Sequence, residues 1–207
     1  METKDNQPLV RIVDDEETIR KSEEFILKIA GIDSVSYSSA EDFLSRADLE
    51  RPGCIVADLR MDGMDGLEMM DEMKRRGFDL PIVFLTGHGT VEAAVFALKG
   101  GACDFLQKPV KPEILQEIVK KLIQKNIDDR RLSQYREQKK ERYQGLTERE
   151  KQIFELVAQD KMNKQIAMEL GIAEHTVKIH RANALRKLGI RTAIEAHNFL
   201  KELSYSC

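Results

Sequence analysis

Five short apolar runs, "LVRIV" at 9–13, "SVSY" at 34–37, "CIVAD" at 54–58, "IVFLT" at 82–86 and "DFLQ" at 104–107, are separated by stretches whose apolar residues recur every three or four positions. The runs predict strands. The intervening stretches, roughly 17–30, 40–46, 66–76, 90–100 and from 111 onward, predict helices. Strands that alternate with helices imply a parallel sheet covered on both faces. After residue 145 only the helical period remains. Thr147 and Glu150 form a capping-box pattern ahead of Ile153, Leu156 and Val157. "NKQIAMEL" then predicts a short helix with Ile166, Ala167 and Leu170 inward, Gly171 a turn, and "EHTVKIHRANALRKLGI" a longer helix ending at Gly189. Between the two regions, "QKNIDDRRLSQYREQKKERYQ" has almost no core residues and neither Pro nor Gly, and predicts an exposed helical connector.

Composition narrows the class. A chain of 207 residues with 42% hydrophobic and 33% charged positions is globular rather than fibrous or disordered, and has room for one or two cores. Lys and Arg number 14 against 24 Asp and Glu over residues 1–119, 9 against 4 over 120–144, and 10 against 8 over 145–207. An acidic front joined to a mildly basic back implies different partners for the two parts. The start, "METKDNQP", is polar and no apolar run approaches a membrane span, so the expectation is a cytoplasmic protein with no membrane partner. Cys54, Cys103 and Cys207 lack any paired or metal-type spacing, which implies reduced thiols, with Cys54 and Cys103 serving as small core residues.

In a sheet of this type ligands bind beyond the carboxyl ends of the strands. Asp14 and Asp15 follow the first strand, Asp58 ends the third, Thr86 ends the fourth and Lys108 follows the fifth. Any one of these acids alone is an ordinary solvated strand end. Three carboxylates brought to one edge repel each other, and a hard cation such as Mg²⁺ is the simplest means of holding them ionised together. A carboxylate beside such a cation, an ammonium and a hydroxyl is equipped to attack a phosphoryl group. Gly63 and Gly66 let the backbone turn sharply after Asp58, and Asp62 and Asp65 are expected as turn residues, Asp65 as a helix cap.

The back region has the pattern of a helix-turn-helix, whose second helix enters the major groove. Val177, Leu185 and Leu188 would face inward, leaving Thr176, Lys178, His180 and Arg181 toward DNA.

"IVDDEE" at 12–17, "DLRMDGMDG" at 58–66, "LTGHG" at 85–89 and "DFLQKP" at 104–109 closely resemble the receiver domain of bacterial two-component response regulators, over residues 8 to about 125. That resemblance implies a doubly wound, flavodoxin-like five-stranded parallel sheet in which Asp58 is phosphorylated by a sensor histidine kinase. It implies Mg²⁺ held by Asp15, Asp58 and the backbone carbonyl of Arg60, with Asp14 helping through water. Thr86 and Phe105 match the family's switch pair, Lys108 its phosphate-contacting lysine, with a cis bond expected before Pro109. The family usually has proline where this chain has Asp62, which alters the stiffness and charge of that loop. "LTERE", "NKQIAMELGI", "TVKIHRANALRKL" and "RTAIEA" resemble the LuxR/FixJ-type DNA-binding domain over about 145–203. By that likeness Lys164 would touch backbone phosphates, Thr176, Lys178, His180 and Arg181 would face the groove, and a last helix at 192–202 would pair two copies. Ala173 stands where a capping Ser is frequent.

The combined expectation is a receiver at 1–125, a helical linker at 126–144 and an all-α helix-turn-helix domain at 145–207, acting as a phosphorylation-controlled transcription regulator and not as an enzyme. Phosphorylation would make a homodimer, through a surface in which Val91, Val95 and Leu98 are candidates, and the dimer would bind double-stranded DNA at a promoter with paired half-sites. Two other readings stay open: a DNA-binding regulator independent of phosphorylation, and an Asp-nucleophile Mg²⁺-dependent phosphatase. The phosphatase would need an acid-base Asp two residues after its nucleophile, where this chain has Arg60.

Overall fold

The computed structural model describes residues 7–87 and 91–204. In chain order it contains β1 (Leu9–Val13), α1 (Glu17–Ile29), β2 (Ser34–Tyr37), α2 (Ala40–Arg46), β3 (Gly53–Asp58), α3 (Gly66–Arg75), β4 (Ile82–Thr86), α4 (Val91–Lys99), β5 (Asp104–Gln107) and α5 (Pro112–Gln144). Four helices follow: α6 (Glu148–Ala158), α7 (Asn163–Leu170), α8 (Glu174–Leu188) and α9 (Ala193–Ser204). The chain divides into two compact units, Met1–Asp129 and Arg130–Cys207.

In the first unit the five strands are parallel in the order β2-β1-β3-β4-β5. Alternation along each strand feeds two cores. Val10, Ile12, Cys54, Val56, Val83 and Leu85 meet Leu27 of α1 and Leu115, Val119 and Leu122 of α5. Val13, Ile55, Ala57 and Phe84 meet Phe43 of α2 and Met69 and Met73 of α3. Each fully buried aliphatic or aromatic side chain contributes roughly 1.5–3 kcal/mol by leaving water, so the two-sided sheet is the main source of stability.

Register then decides what is brought together at one edge. Val13 lies opposite Ala57, so the next residues, Asp14 and Asp58, emerge side by side. Asp58 lies opposite Leu85, one residue before Thr86. Thr86 lies opposite Gln107, one residue before Lys108. The strand order reverses between β1 and β3, which is where such sheets open a crevice.

Two polar residues inside this unit tie loops to the sheet. Arg11, fully buried in β1, donates to the carbonyl oxygens of Leu9 (2.7 Å), Asp48 (3.0 Å) and Arg51 (2.8 Å). Asn126 of α5 accepts from the Gly53 N–H at 3.0 Å and donates to the Asp79 carbonyl at 3.0 Å, fixing α5 across the amino ends of β3 and β4.

The second unit is a helical cluster around Ile153, Phe154, Val157, Ile166, Val177, Ala184, Leu188 and Phe199. Thr147 caps α6, and Glu150 reaches back to its N–H at 2.8 Å as the expected box requires. Glu150 is itself buried and accepts from Lys187 Nζ of α8 at 2.7 Å, a link between α6 and α8. Burial opposes its ionisation, but Lys187 and Thr147 outweigh that and hold the carboxyl below its ordinary pKa. α7 and α8 end on Gly171 and Gly189 in left-handed conformation, as the sequence indicates. Ala173 gives α8 no side-chain cap.

Candidate functional site

Asp14 and Asp58 are buried at the carboxyl ends of β1 and β3, while Asp15 is exposed beside them. Lys108 Nζ sits 2.5 Å from Asp14 Oδ2 and 2.7 Å from Asp58 Oδ2. The free oxygen of each acid is held from the main chain: Asp14 Oδ1 accepts from Glu16 N–H at 2.9 Å, and Asp58 Oδ1 from Arg60 N–H at 3.1 Å. Asp15 Oδ2 accepts from Asp62 N–H at 3.1 Å. Arg20 braces the segment by donating to the carbonyls of Asp14 (2.7 Å) and Asp15 (2.9 Å).

The three acids each present an oxygen, all within 4.8 Å of one another. With one ammonium among three carboxylates the ionised cluster carries a net charge of −2. Burial works against the Lys108 ammonium, yet its hydrogen bonds to Asp14 and Asp58 outweigh burial and raise its pKa above the usual lysine value. The donor set is therefore all oxygen, compact and under-neutralised, which suits a hard divalent cation.

The loop after Asp58 is shaped for this position. A Cβ on Gly66 would meet the Asp58 carbonyl oxygen at 2.5 Å and Phe84 Cε1 at 2.7 Å, so only glycine lets α3 start this close to the acid. Asp65 caps α3, accepting from the N–H groups of Leu67 and Glu68 at 2.9 Å, as expected, and Asp62 is exposed. Thr86 is fully buried, and its carbonyl accepts from the Lys108 N–H at 2.9 Å, which sets the lysine in place. The bond before Pro109 is cis. Phe105 is half-buried against the core that contains Phe84. In "LTGHG", His88 and Gly89 lie outside the described residues.

One residue in this neighbourhood is invisible in the pattern of the sequence. Glu23 of α1 is only 5% exposed, and burial, followed by repulsion from Asp14, pushes its carboxyl up to about 8. It stands in the charged stretch "RKSEEF", which looks like a solvated helix face.

On the second unit, Val177, Ala184 and Leu188 of α8 face inward and Leu185 is half-buried against them. The opposite ridge consists of His175, Lys178, Ile179 and Ala182, all exposed. Of the four residues expected toward DNA, Lys178 is on this ridge, 3.2 Å from Glu174. Thr176, His180 and Arg181 lie half-buried on its flanks, and Arg181 donates to Asn163 Oδ1 of α7 at 2.9 Å, joining the two helices. Lys164, near the start of α7, is exposed. His175, Ile179 and Ala182 were not among the residues expected toward DNA, although positions three, four and seven after His175 share its helix face.

Comparison with known proteins matches residues 10–120 to the response regulator receiver domain and residues 144–200 to the bacterial regulatory proteins of the luxR family. The transcriptional regulatory protein FixJ of Azorhizobium caulinodans is 36% identical over 86% of this chain and 85% of its own. The C4-dicarboxylate transport transcriptional regulatory protein DctR of Rhodobacter capsulatus is 39% identical over 88% of this chain and 93% of its own. The solved structure of the response regulator StyR superposes with a TM-score of 0.88 at 36% identity, covering 95% of this chain and 99% of that one.

Proposed function

The chain belongs to the two-component response regulators that join a receiver to a LuxR-type DNA-binding domain, a phosphorylation-controlled class of transcriptional regulator, and on that premise we propose that Asp58 is its phosphoryl acceptor. The observation that carries this reading is the ammonium of Lys108 between Asp14 and Asp58, with Asp15 within reach of both acids. A carboxylate oxygen of Asp58 attacks the phosphorus of a kinase phosphohistidine; the new O–P bond forms as the P–N bond breaks, and the electron pair returns to the imidazole nitrogen. Lys108 then exchanges its contact with Asp58 for a phosphoryl oxygen. Asp14, Asp15, Asp58 and the Arg60 carbonyl would hold Mg²⁺, which supplies neutralising charge to the phosphoryl oxygens. Neither alternative function is favoured: the intact set of Asp14, Asp15, Asp58 and Lys108 speaks against a regulator independent of phosphorylation, and the relatives named as regulators, with Arg60 in place of an acid-base Asp, speak against a phosphatase.

The acyl phosphate presents Thr86 with a new acceptor. As its hydroxyl turns inward it vacates space for the Phe105 ring, and the surface of α4, β5 and α5 changes. That surface is apolar on α4, where Val95, Phe96 and Leu98 are 45, 64 and 46% exposed. The side chain of Val91 lies outside the described residues. Two receivers paired there would bring two DNA-binding domains onto paired half-sites, raising affinity through effective concentration. On DNA, Lys164 contacts phosphates and the exposed ridge of α8, with Lys178 and Ile179 at its centre, enters the major groove. Arg181 acts through Asn163, and Thr176 and His180 line the flanks.

Incubation with acetyl phosphate and Mg²⁺ should add one acid-labile phosphoryl group, detected as a mass increment, and Asp58→Asn should remove it because an amide is a poor nucleophile. Unchanged labelling of the Asn variant would overturn the assignment.

A further inference from the structure

The last turns of α5 fall between the two matched regions, of which one ends at residue 120 and the other begins at 144, so neither family assigns them a role. They are not a free tether. Lys139 is seated on the second unit, its ammonium 5.0 Å from the Phe199 ring centroid and paired with Glu202 of α9, and Tyr143 packs against Phe154 and Phe199. Charge is spread unevenly over this unit: residues 130–144 hold six Lys and Arg against two Asp and Glu, whereas 145–207 hold 10 against 8. Within the helical cluster most cations are already taken. Lys151, Lys161, Lys178 and Lys187 are paired with Glu148, Glu169, Glu174 and Glu150. Arg131, Arg136, Lys140 and Arg142 of α5 are exposed and, among the described residues, meet no acid. Glu137 and Glu141 do not neutralise them, since the four-residue step from Glu137 leads to Glu141 and the step from Arg136 to Lys140 joins like charges. Free positive charge of this kind favours a polyanion.

Position selects which of the four reach it. Arg142 shares a groove of about 300 Å³ with Leu188, Gly189 and Ile190, the end of α8. Arg131 lies on the same side of α5, about three turns and about 16 Å earlier, while Arg136 and Lys140 point roughly 120° and 160° away from Arg142. With the first turns of α8 on base edges, its carboxyl end comes out beside the phosphates that border the groove. We propose that Arg142 and Arg131 form a second DNA contact, gripping the phosphate backbone that flanks the bases read by α8, so that the end of α5 is part of the DNA-binding surface. The contact rests on the reading that places α8 in the major groove. It adds affinity and salt dependence without base preference, because phosphates carry no sequence.

Fluorescence anisotropy of the full chain on two labelled duplexes, one with a site selected from random DNA and ample flanks, the other random, tests the contact. Arg142→Gln should weaken binding to both alike, and the advantage of the wild type should shrink about three- to fourfold between about 50 and about 200 mM salt, the effect of one lost phosphate contact. Arg131→Gln should do the same. Arg142→Lys, which restores the charge, should recover the salt slope. Lys140→Gln removes an equal charge from the other side of α5 and should stay close to the wild type in slope and in both affinities, which separates a local contact from net charge. Equal losses in Arg142→Gln and Lys140→Gln, or a salt slope unchanged in both arginine variants, would overturn the proposal. If Lys178→Ala still relaxed base preference in that case, the reading of α8 would stand without it. A wild type with no affinity for either duplex would overturn that reading and the proposal with it.

Discussion

Asp62 has a role that its side chain does not explain. Its N–H holds Asp15 Oδ2 at 3.1 Å, and proline, the usual residue of the family there, has no N–H to give. Asp62→Pro should therefore release Asp15 and raise the Mg²⁺ concentration needed for half-maximal phosphorylation a few-fold, in line with a net hydrogen bond of about 0.5–1.5 kcal/mol. Asp62→Ala keeps the N–H and should leave the Mg²⁺ titration close to that of the wild type; equal shifts in both variants would assign the effect to the lost charge instead. Glu23 gives a second prediction, with its sign fixed by its raised pKa. Its neutral form is favoured in the folded state, so stability present below about 4.5, the unfolded value, is lost as pH rises through about 8. Glu23→Gln removes that loss and should gain on the wild type by on the order of a few kcal/mol between pH 5 and pH 8.5, read from urea unfolding of the receiver amides. A constant difference across that range would mean that Glu23 is not held neutral. Asp14, Asp15, Asp58, Thr86 and Lys108 were legible as strand-end chemistry. Glu23, Arg11 and Asn126 were not, because a single polar residue in a polar helix face or an apolar strand carries no periodic signature of burial.

Strands were legible to within a residue: β1, β2, β4 and β5 match their apolar runs, and β3 starts one position early, at Gly53. The helices were as legible, because apolar spacing fixes which face turns inward. What spacing left open was the outward face of α8, where any polar residue looks equally available. The structure divides them: Lys178 and Ile179 lead the ridge, and Arg181 is tied to Asn163. On a site selected from random DNA, Lys178→Ala should lose about 1–3 kcal/mol and relax base preference, because a base-edge contact carries sequence information. Lys164→Ala should weaken selected and random DNA alike and lower the salt slope by about one. Gel-shift titrations at several salt concentrations separate the two. Equal losses for Lys178→Ala on both DNAs would make it a phosphate contact.

For the molecule as a whole, the sequence already divides by charge and by period into an acidic α/β part and a basic helical part, and the structure resolves two compact units joined through α5. No described helix is long and apolar enough to cross a membrane. What neither the period nor the charge reveals is how a phosphoryl group in one unit reaches DNA through the other. On the proposed function that coupling runs through the exposed apolar residues of α4, Val95, Phe96 and Leu98, which would pair two copies once Thr86 and Phe105 rearrange. Light scattering on the full chain before and after phosphorylation tests this most directly. The mass should be near 23.7 kDa without phosphate and rise to twice that value once Asp58 is phosphorylated, with no rise for Asp58→Asn under the same conditions. A mass that stays the same while the phosphoryl group is present on Asp58 would contradict it.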